Sequence, residues 1–430
     1  MDFVFVLLTL FGLLLIGAPI FLALGTAGLL GLFLERGPMA LTLASSSIFS
    51  QLHHFELVAL PLFILMGFVL VETPIGRDLF RAAEQWFGWL RGGLAISSVG
   101  TCTVFGAMSG VSIAGVASVG ALAVPEMIDR GYSRSLAAGS VVTAGALAML
   151  IPPSVPFIIY SAMTGVSIAD LFVAGIVPGL SLALAFSVYI YIRATLNPSE
   201  APQPEGSVGW GSKFKSLSRV WHALLLIFIV LGAIYGGVAT PSEASAVGAL
   251  GAFIIAGAVY RTLDWAAVKR IFVTSLNVTA AVLLIMAAAR IFGDYLNLAR
   301  IPFFLSESIV AMDITPLAVI LVIATFLILL GMFVDAGSII VVTTPILLPV
   351  ILALGYDPLW FGVVLVLTLE IAVVTPPVGL NLYALRGTCP FLRIEEIIRS
   401  AMPFVGIQIL VLLLFILIPE LALWLPHAVR

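Results

Sequence analysis

Two proline pairs carry the chemistry of this chain. Pro152-Pro153 lies in Ile151–Pro156 (IPPSVP) and Pro376-Pro377 in Thr375–Gly379 (TPPVG), each inside an otherwise helical apolar stretch. Consecutive prolines withdraw two amide donors and strand the carbonyls one turn earlier. In lipid such carbonyls are costly, so they must face protein, water or a bound ion. The helix that restarts near Ser154 or Gly379 offers amides and a positive dipole end to an anion. Polar or small residues also interrupt two other apolar segments: Ser109, Gly110 and Ser112 in 94–128, and Asp335, Gly337 and Ser338 in 315–352. A tip facing each break would add hydroxyl and main-chain oxygens. The pattern therefore predicts two oxygen cages suited to a hard monovalent cation, flanking an anion site. Ser154 and Asn381 are the candidate hydrogen-bonders to the solute, although helix-packing polar residues would look the same. Asp335 and Glu370 are carboxylates in apolar surroundings, where charge is costly and usually functional. Glu370 reads equally as a structural acid satisfied by its neighbours.

These residues need elements to position them, and composition says which. Of 430 residues, 62% are hydrophobic and 10% charged, with a mean hydropathy of +1.22. A soluble domain carries roughly 25% charged residues. Lipid must therefore be most of the solvent, which leaves helices or a closed barrel. The apolar runs are continuous rather than alternating, so the expected fold is an all-α polytopic membrane protein. On a ruler of about 20 residues per crossing, spans fall near 3–18, 20–34, 56–72, 133–165, 170–193, 219–238, 242–260, 273–295, 358–388 and 402–424. Segments 94–128 and 315–352 resist that ruler and are read as re-entrant hairpins, with a single kinked span as the alternative. No positively charged leader precedes Phe3, so the first apolar stretch is expected to stay in the membrane.

Residues 194–218, with Pro198, Pro202 and Pro204, read as an aqueous linker between two halves, 1–193 and 219–430. A shift of 224 residues carries Pro125 onto Pro349, Gly131-Tyr132 onto Gly355-Tyr356, Pro152-Pro153 onto Pro376-Pro377 and Thr164 onto Thr388 without a gap. The halves are repeats, each with a hairpin (94–128, 315–352) and a broken helix (133–165, 358–388). Placing the loop after residue 72 in the cytoplasm puts 15 of the 19 Lys and Arg residues on that side. Arg36, Arg290, Arg300 and Arg430 remain outside or near the outer interface, and both termini are expected outside. The two hairpins then open from opposite sides, which makes the repeats inverted, a transporter architecture. Residues 76–92 mix charge with aromatics and predict an interfacial helix, with Phe80, Trp86 and Trp89 towards lipid; Arg300–Asp313 is its counterpart. Either can act as an arm or be a plain surface helix.

Several function classes drop out. A net charge of −3 without a basic cluster argues against a nucleic-acid partner. Cys102 and Cys389 stand alone and read as small packed residues. His53, His54, His222 and His427 fall near expected helix ends and read as interfacial. Nucleophile–His–acid sets, GK[ST] loops and HExxH are all missing, so an enzyme is not expected, nor an organic cofactor.

Five stretches in order resemble one family: Pro61–Gly67 (PLFILMG), Ile151–Tyr160 (IPPSVPFIIY), Gly237–Leu250 (GVATPSEASAVGAL), Leu330–Pro349 (LGMFVDAGSIIVVTTPILLP) and Thr375–Leu385 (TPPVGLNLYAL). The family is the large membrane subunit of tripartite ATP-independent periplasmic (TRAP) transporters, the DctM or SiaM type. The resemblance implies an ion-transporter-superfamily fold in a bacterial inner membrane and sodium-coupled import of an organic acid, such as sialic acid or a C4-dicarboxylate, by an elevator motion. It implies a small membrane subunit and a periplasmic binding protein as partners. Family sodium sites carry over onto Gly106, Ser109, Gly110 and Ser112 with Pro152, and onto Gly331, Val334 and Asp335 with Thr375, Pro376 and Gly379. Solute would lie between them, near Ser154 and Asn381. Val111, Ala146 and Ala148 depart from the hydroxyl or glycine residues common in the family, so the first set is the less complete match. A stand-alone cation–dicarboxylate symporter is the competing expectation.

Overall fold

The computed structural model describes residues 2–202, 209–311 and 314–429, and no strand occurs among them. Pro204 of the expected linker, Asp313 of the second interfacial segment and Arg430 lie outside the described residues. Seven helices are long and apolar enough to cross a membrane, or eight if one bent pair counts as a span. The shorter apolar helices are the remaining pieces. They include Gly93–Ser109 and Pro316–Gly331, which open the hairpins, and Arg134–Met149, Val155–Thr164 and Pro358–Ala372 of the broken helices. A ten-residue helix rises about 15 Å, half of a hydrocarbon core of about 30 Å. Val155–Thr164 and the nine-residue Leu380–Thr388 are therefore half-crossings.

The same local signals build both halves. The first hairpin pairs Gly93–Ser109 with Ser112–Asp129, and the second pairs Pro316–Gly331 with Ala336–Ala353. Each second arm ends in one motif: Gly131 and Gly355 take positive φ (83° and 79°), where only glycine is unstrained. The amides of Tyr132 and Tyr356 then reach back to Met127 and Ile351 at 2.9 and 3.1 Å, which satisfies the last carbonyls. Each broken helix starts on a side-chain cap in the same register. Ser133 accepts from the Leu136 amide at 3.1 Å and Asp357 from the Leu359 amide at 2.7 Å. Both Pro-Pro bonds are cis. This is an all-α polytopic fold of two repeats, each holding a re-entrant hairpin and a broken helix.

A second group of helices backs these units. Ile20–Arg36 lies along the 34-residue helix Trp265–Leu298. Small residues set that crossing: a Cβ on Gly28 would come within 2.6 Å of the Phe292 amide, and one on Gly31 within 2.5 Å of the Tyr295 ring. Ala59–Val71 packs on Pro241–Ile254 and also on the first hairpin.

Four expectations need correction. The stretch 402–424 is not one span: Ile394–Leu417 ends before Pro419, and Glu420–Val429 is a separate helix. Pro419 disfavours helical geometry at Ile418, which sits at φ −128°, ψ 79°. A helix at Met39–Leu52 lies outside every expected span; it meets Phe55–Val71 at a 62° bend, and its serines and Gln51 dilute the apolar signal. Phe80 does not face lipid, because Ile75–Phe87 turns Ile75, Leu79 and Phe80 into the fold. His222 is no helix-end residue: Trp210–Tyr235 begins earlier than expected, and the ring is buried mid-helix, 2.9 Å from the Tyr260 hydroxyl. Cys102 and Cys389 are buried free thiols.

Candidate functional site

The first break shows what two prolines do. Pro152 and Pro153 have no N–H for the Ala148 and Met149 carbonyls one turn back. The Ser154 hydroxyl takes up the Met149 carbonyl, and the same oxygen accepts from the Phe157 amide at 3.4 Å, capping Val155–Thr164. In the second break the equivalent carbonyl, Val373, is met by the Asn381 amide at 3.1 Å, and Ala372 by the Thr375 amide at 3.1 Å. The Thr375 hydroxyl donates to the Ile371 carbonyl at 2.5 Å. Gly379 holds φ at 49°, which lets Leu380–Thr388 restart at an angle.

Each tip is seated on the break of its own repeat. Gly110 turns the first hairpin at φ 62°, and a Cβ there would collide with the Pro153 carbonyl. Gly106 is as tightly placed, with its missing Cβ 2.8 Å from Ala148 Cα. In the second repeat the Val378 amide donates to the Met332 carbonyl at 3.1 Å, and a Cβ on Gly331 would lie 2.5 Å from that of Ala372. The first tip is thus set on its break through Gly106 and Gly110, and the second through Gly331 and Met332. The second bend falls at Met332–Asp335, slightly ahead of the expected Asp335–Ser338. Asp335 is exposed and caps Ala336–Ala353 through the Ser338 amide, at 3.0 Å, and the Ser338 hydroxyl.

The two repeats also interlock. Ser112 donates to the Asn381 carbonyl oxygen at 2.8 Å, and the Asn381 amide nitrogen donates to the Val142 carbonyl at 3.3 Å. One side chain of the second half thus holds both the tip and the broken helix of the first. Ser154 and Asn381 are fully buried, with their polar atoms engaged inside the protein. Ser109 is different: its hydroxyl is buried at the first tip with no hydrogen-bond partner among the described residues, whereas the buried Glu370 carboxyl lies against the Leu150 amide. Where fixed partners are missing, a mobile ligand can supply them. Sequence reasoning missed Gly67, whose absent Cβ would lie 2.6 Å from the Ser109 carbonyl and which lets Ala59–Val71 close on the first tip. A lone glycine inside an apolar helix was the available signal.

A cavity of about 710 Å³ opens at the far end of Val155–Thr164, between residues 161–169 and a wall that includes His54, Glu56, Thr240 and Arg290. Among the described residues no three His, Cys, Asp or Glu side chains gather as a metal cluster.

Two inverted, hairpin-bearing repeats that meet at broken helices define a membrane transporter. The Alcanivorax borkumensis YdaH transporter shares the fold, with a TM-score of 0.61 at 14% identity over 91% of this chain and 90% of that one. The chain belongs to the DctM component family of tripartite ATP-independent periplasmic transporters, whose family model matches residues 7–421. It is 34% identical to the C4-dicarboxylate TRAP transporter large permease protein DctM of Vibrio cholerae, over 96% of this chain and 95% of that protein. It is also 34% identical to the isethionate TRAP transporter permease protein DctMQ of Oleidesulfovibrio alaskensis, covering 98% of this chain and 67% of the relative. A third relative, the ectoine TRAP transporter large permease protein TeaC of Halomonas elongata, is 32% identical over 97% of each chain. The protein is a transporter permease and not an enzyme.

Proposed function

We propose that this chain imports a small organic acid across a bacterial inner membrane, driven by sodium, with the hairpins and broken helices moving as an elevator against the remaining helices. The observation that carries the reading is the seating of each tip on its own break. This sets the unpartnered Ser109 hydroxyl and the main-chain groups of each tip beside the start of a half-helix. Sodium would bind at Gly106, Ser109, Gly110, Ser112 and Pro152, and at Gly331, Val334, Asp335, Thr375, Pro376 and Gly379. The acid would lie between, with Ser154 and Asn381 exchanging internal partners for solute. A periplasmic binding protein would deliver the solute and a small membrane subunit would complete the permease. The longer DctMQ relative, a third of which lies beyond the match, supports the second partner. Relatives of nearly equal identity are named for different solutes, so overall identity does not select among sialic acid, a C4-dicarboxylate and other organic acids.

The test is reconstitution of the chain with its small subunit and binding protein in liposomes, with uptake followed with and without an inward sodium gradient. Uptake indifferent to sodium would defeat the coupling. Uptake by this chain alone would instead favour the stand-alone symporter. Orientation has a separate check, labelling of a Lys213→Cys variant after replacement of Cys102 and Cys389. Reaction from the periplasmic side would reverse the assigned topology.

A further inference from the structure

A second cavity, of about 490 Å³, has no role in the transport site. It lies between Ile75–Phe87, the base of the first hairpin and the first turns of Trp210–Tyr235. This is the face that the Lys and Arg distribution assigns to the cytoplasm. Four cations and three acids line it, and the acids are already committed. Asp78 accepts from the Tyr260 hydroxyl at 2.8 Å. Glu84 and Glu126 are both bound by Arg130, the second at 2.5 Å. Arg81, Lys215 and Arg219 are left facing the cavity with no hydrogen-bond or ion-pair partner among the described residues.

The surroundings belong to a membrane interface. Trp86 stacks edge-on against Trp210 and Phe214, and the Lys213 ammonium sits 5.0 Å from the Trp210 ring centre. Such aromatic and basic groups mark headgroup depth. Basic pockets between helices on the cytoplasmic side bind anionic headgroups.

We infer that this cavity is a binding site for a phosphate-class anion, held by Arg81, Lys215 and Arg219. Its position at headgroup depth makes the phosphodiester of an anionic phospholipid the natural source, with free phosphate as the alternative. Line-up of the charges explains the fit: four cations line the cavity against three acids, the acids are held by hydrogen bonds within the protein, and the unpaired guanidinium and ammonium groups can share one anion. The anion would tie Ile75–Phe87 to Trp210–Tyr235 beside the base of the first hairpin.

Native mass spectrometry of the full chain tests this, with phosphatidylglycerol, phosphatidylethanolamine and inorganic phosphate each titrated in. Phosphatidylglycerol should be retained above phosphatidylethanolamine. The R81Q/K215Q/R219Q variant should weaken that retention about fivefold per charge, or about a hundredfold in all. If inorganic phosphate binds the native chain and displaces the lipid, the same site takes the free ion. The control variant R77Q/R91Q/K269Q removes three other exposed cations assigned to the same face and should retain lipid normally. Equal loss in both variants, or equal retention by the native chain and the first variant, would overturn the assignment.

Discussion

Replacing Asn381 by leucine removes both side-chain bonds that Asn381 makes to the first repeat. The Ser112 hydroxyl, 7% exposed, then loses its acceptor at 2.8 Å, while Val142 loses only an extra donor at 3.3 Å. An orphaned buried polar group costs about 1–3 kcal/mol, and an interhelical bond in a membrane is worth about 0.6 and at most about 1.7 kcal/mol. Asn381→Leu should therefore destabilise the chain by about 2 kcal/mol. Ser112→Ala should cost about 1 kcal/mol by stranding the Asn381 oxygen. Because each single change orphans the other's partner, the double variant should cost about 2 rather than about 3 kcal/mol, a coupling of about 1 kcal/mol. Reversible unfolding in mixed micelles, followed by tryptophan fluorescence, measures all four corners of this cycle. Costs that simply add would show that the two side chains do not hold the repeats together.

Other consequences are local. Gly110→Ala meets a left-handed backbone and the Pro153 carbonyl together, and should reduce uptake at least tenfold at normal chain levels. Gly165→Ala carries the same backbone cost at φ 76° with open space around it, so it should lose far less; parallel uptake assays compare them. Gly28→Val must push apart a helix pair now touching at Phe292, and overpacking of this kind costs about 1–3 kcal/mol. Size-exclusion profiles should show less folded chain, whereas Gly12→Ala, with nothing nearby, should be neutral. Asp335→Asn keeps the helix cap and removes the charge, and Thr375→Ala frees the Ile371 carbonyl. Either should raise the sodium concentration for half-maximal uptake, and unchanged sodium curves in both would remove them from the coupling site.

The repeat was legible because prolines and glycines act locally. Gly131, Gly355 and both Pro-Pro pairs fix backbone geometry within a few residues, so their register carries straight into the helix ends. Met39–Leu52 escaped because Ser45, Ser46, Ser47 and Gln51 weaken its apolar signal while Ser45 and Ser47 return their hydroxyls to their own helix. Tertiary packing, not periodicity, decided Phe80 and His222. Within the site, the types and tips could be read, but the partners could not. Ser112 and Asn381 are 269 residues apart, and nothing in either neighbourhood announces the other. Ser154 was legible as a cap position only once the break was known to restart at Val155.

One asymmetry separates the two copies. Trp265–Leu298 runs 34 residues unbroken, about 51 Å at 1.5 Å per residue. The residues that match it in the first repeat form Met39–Leu52 and Phe55–Val71, jointed at 62°. One half carries a strut where the other carries an elbow. The two halves are therefore alike in their hairpins and broken helices and unlike in the helix that backs them.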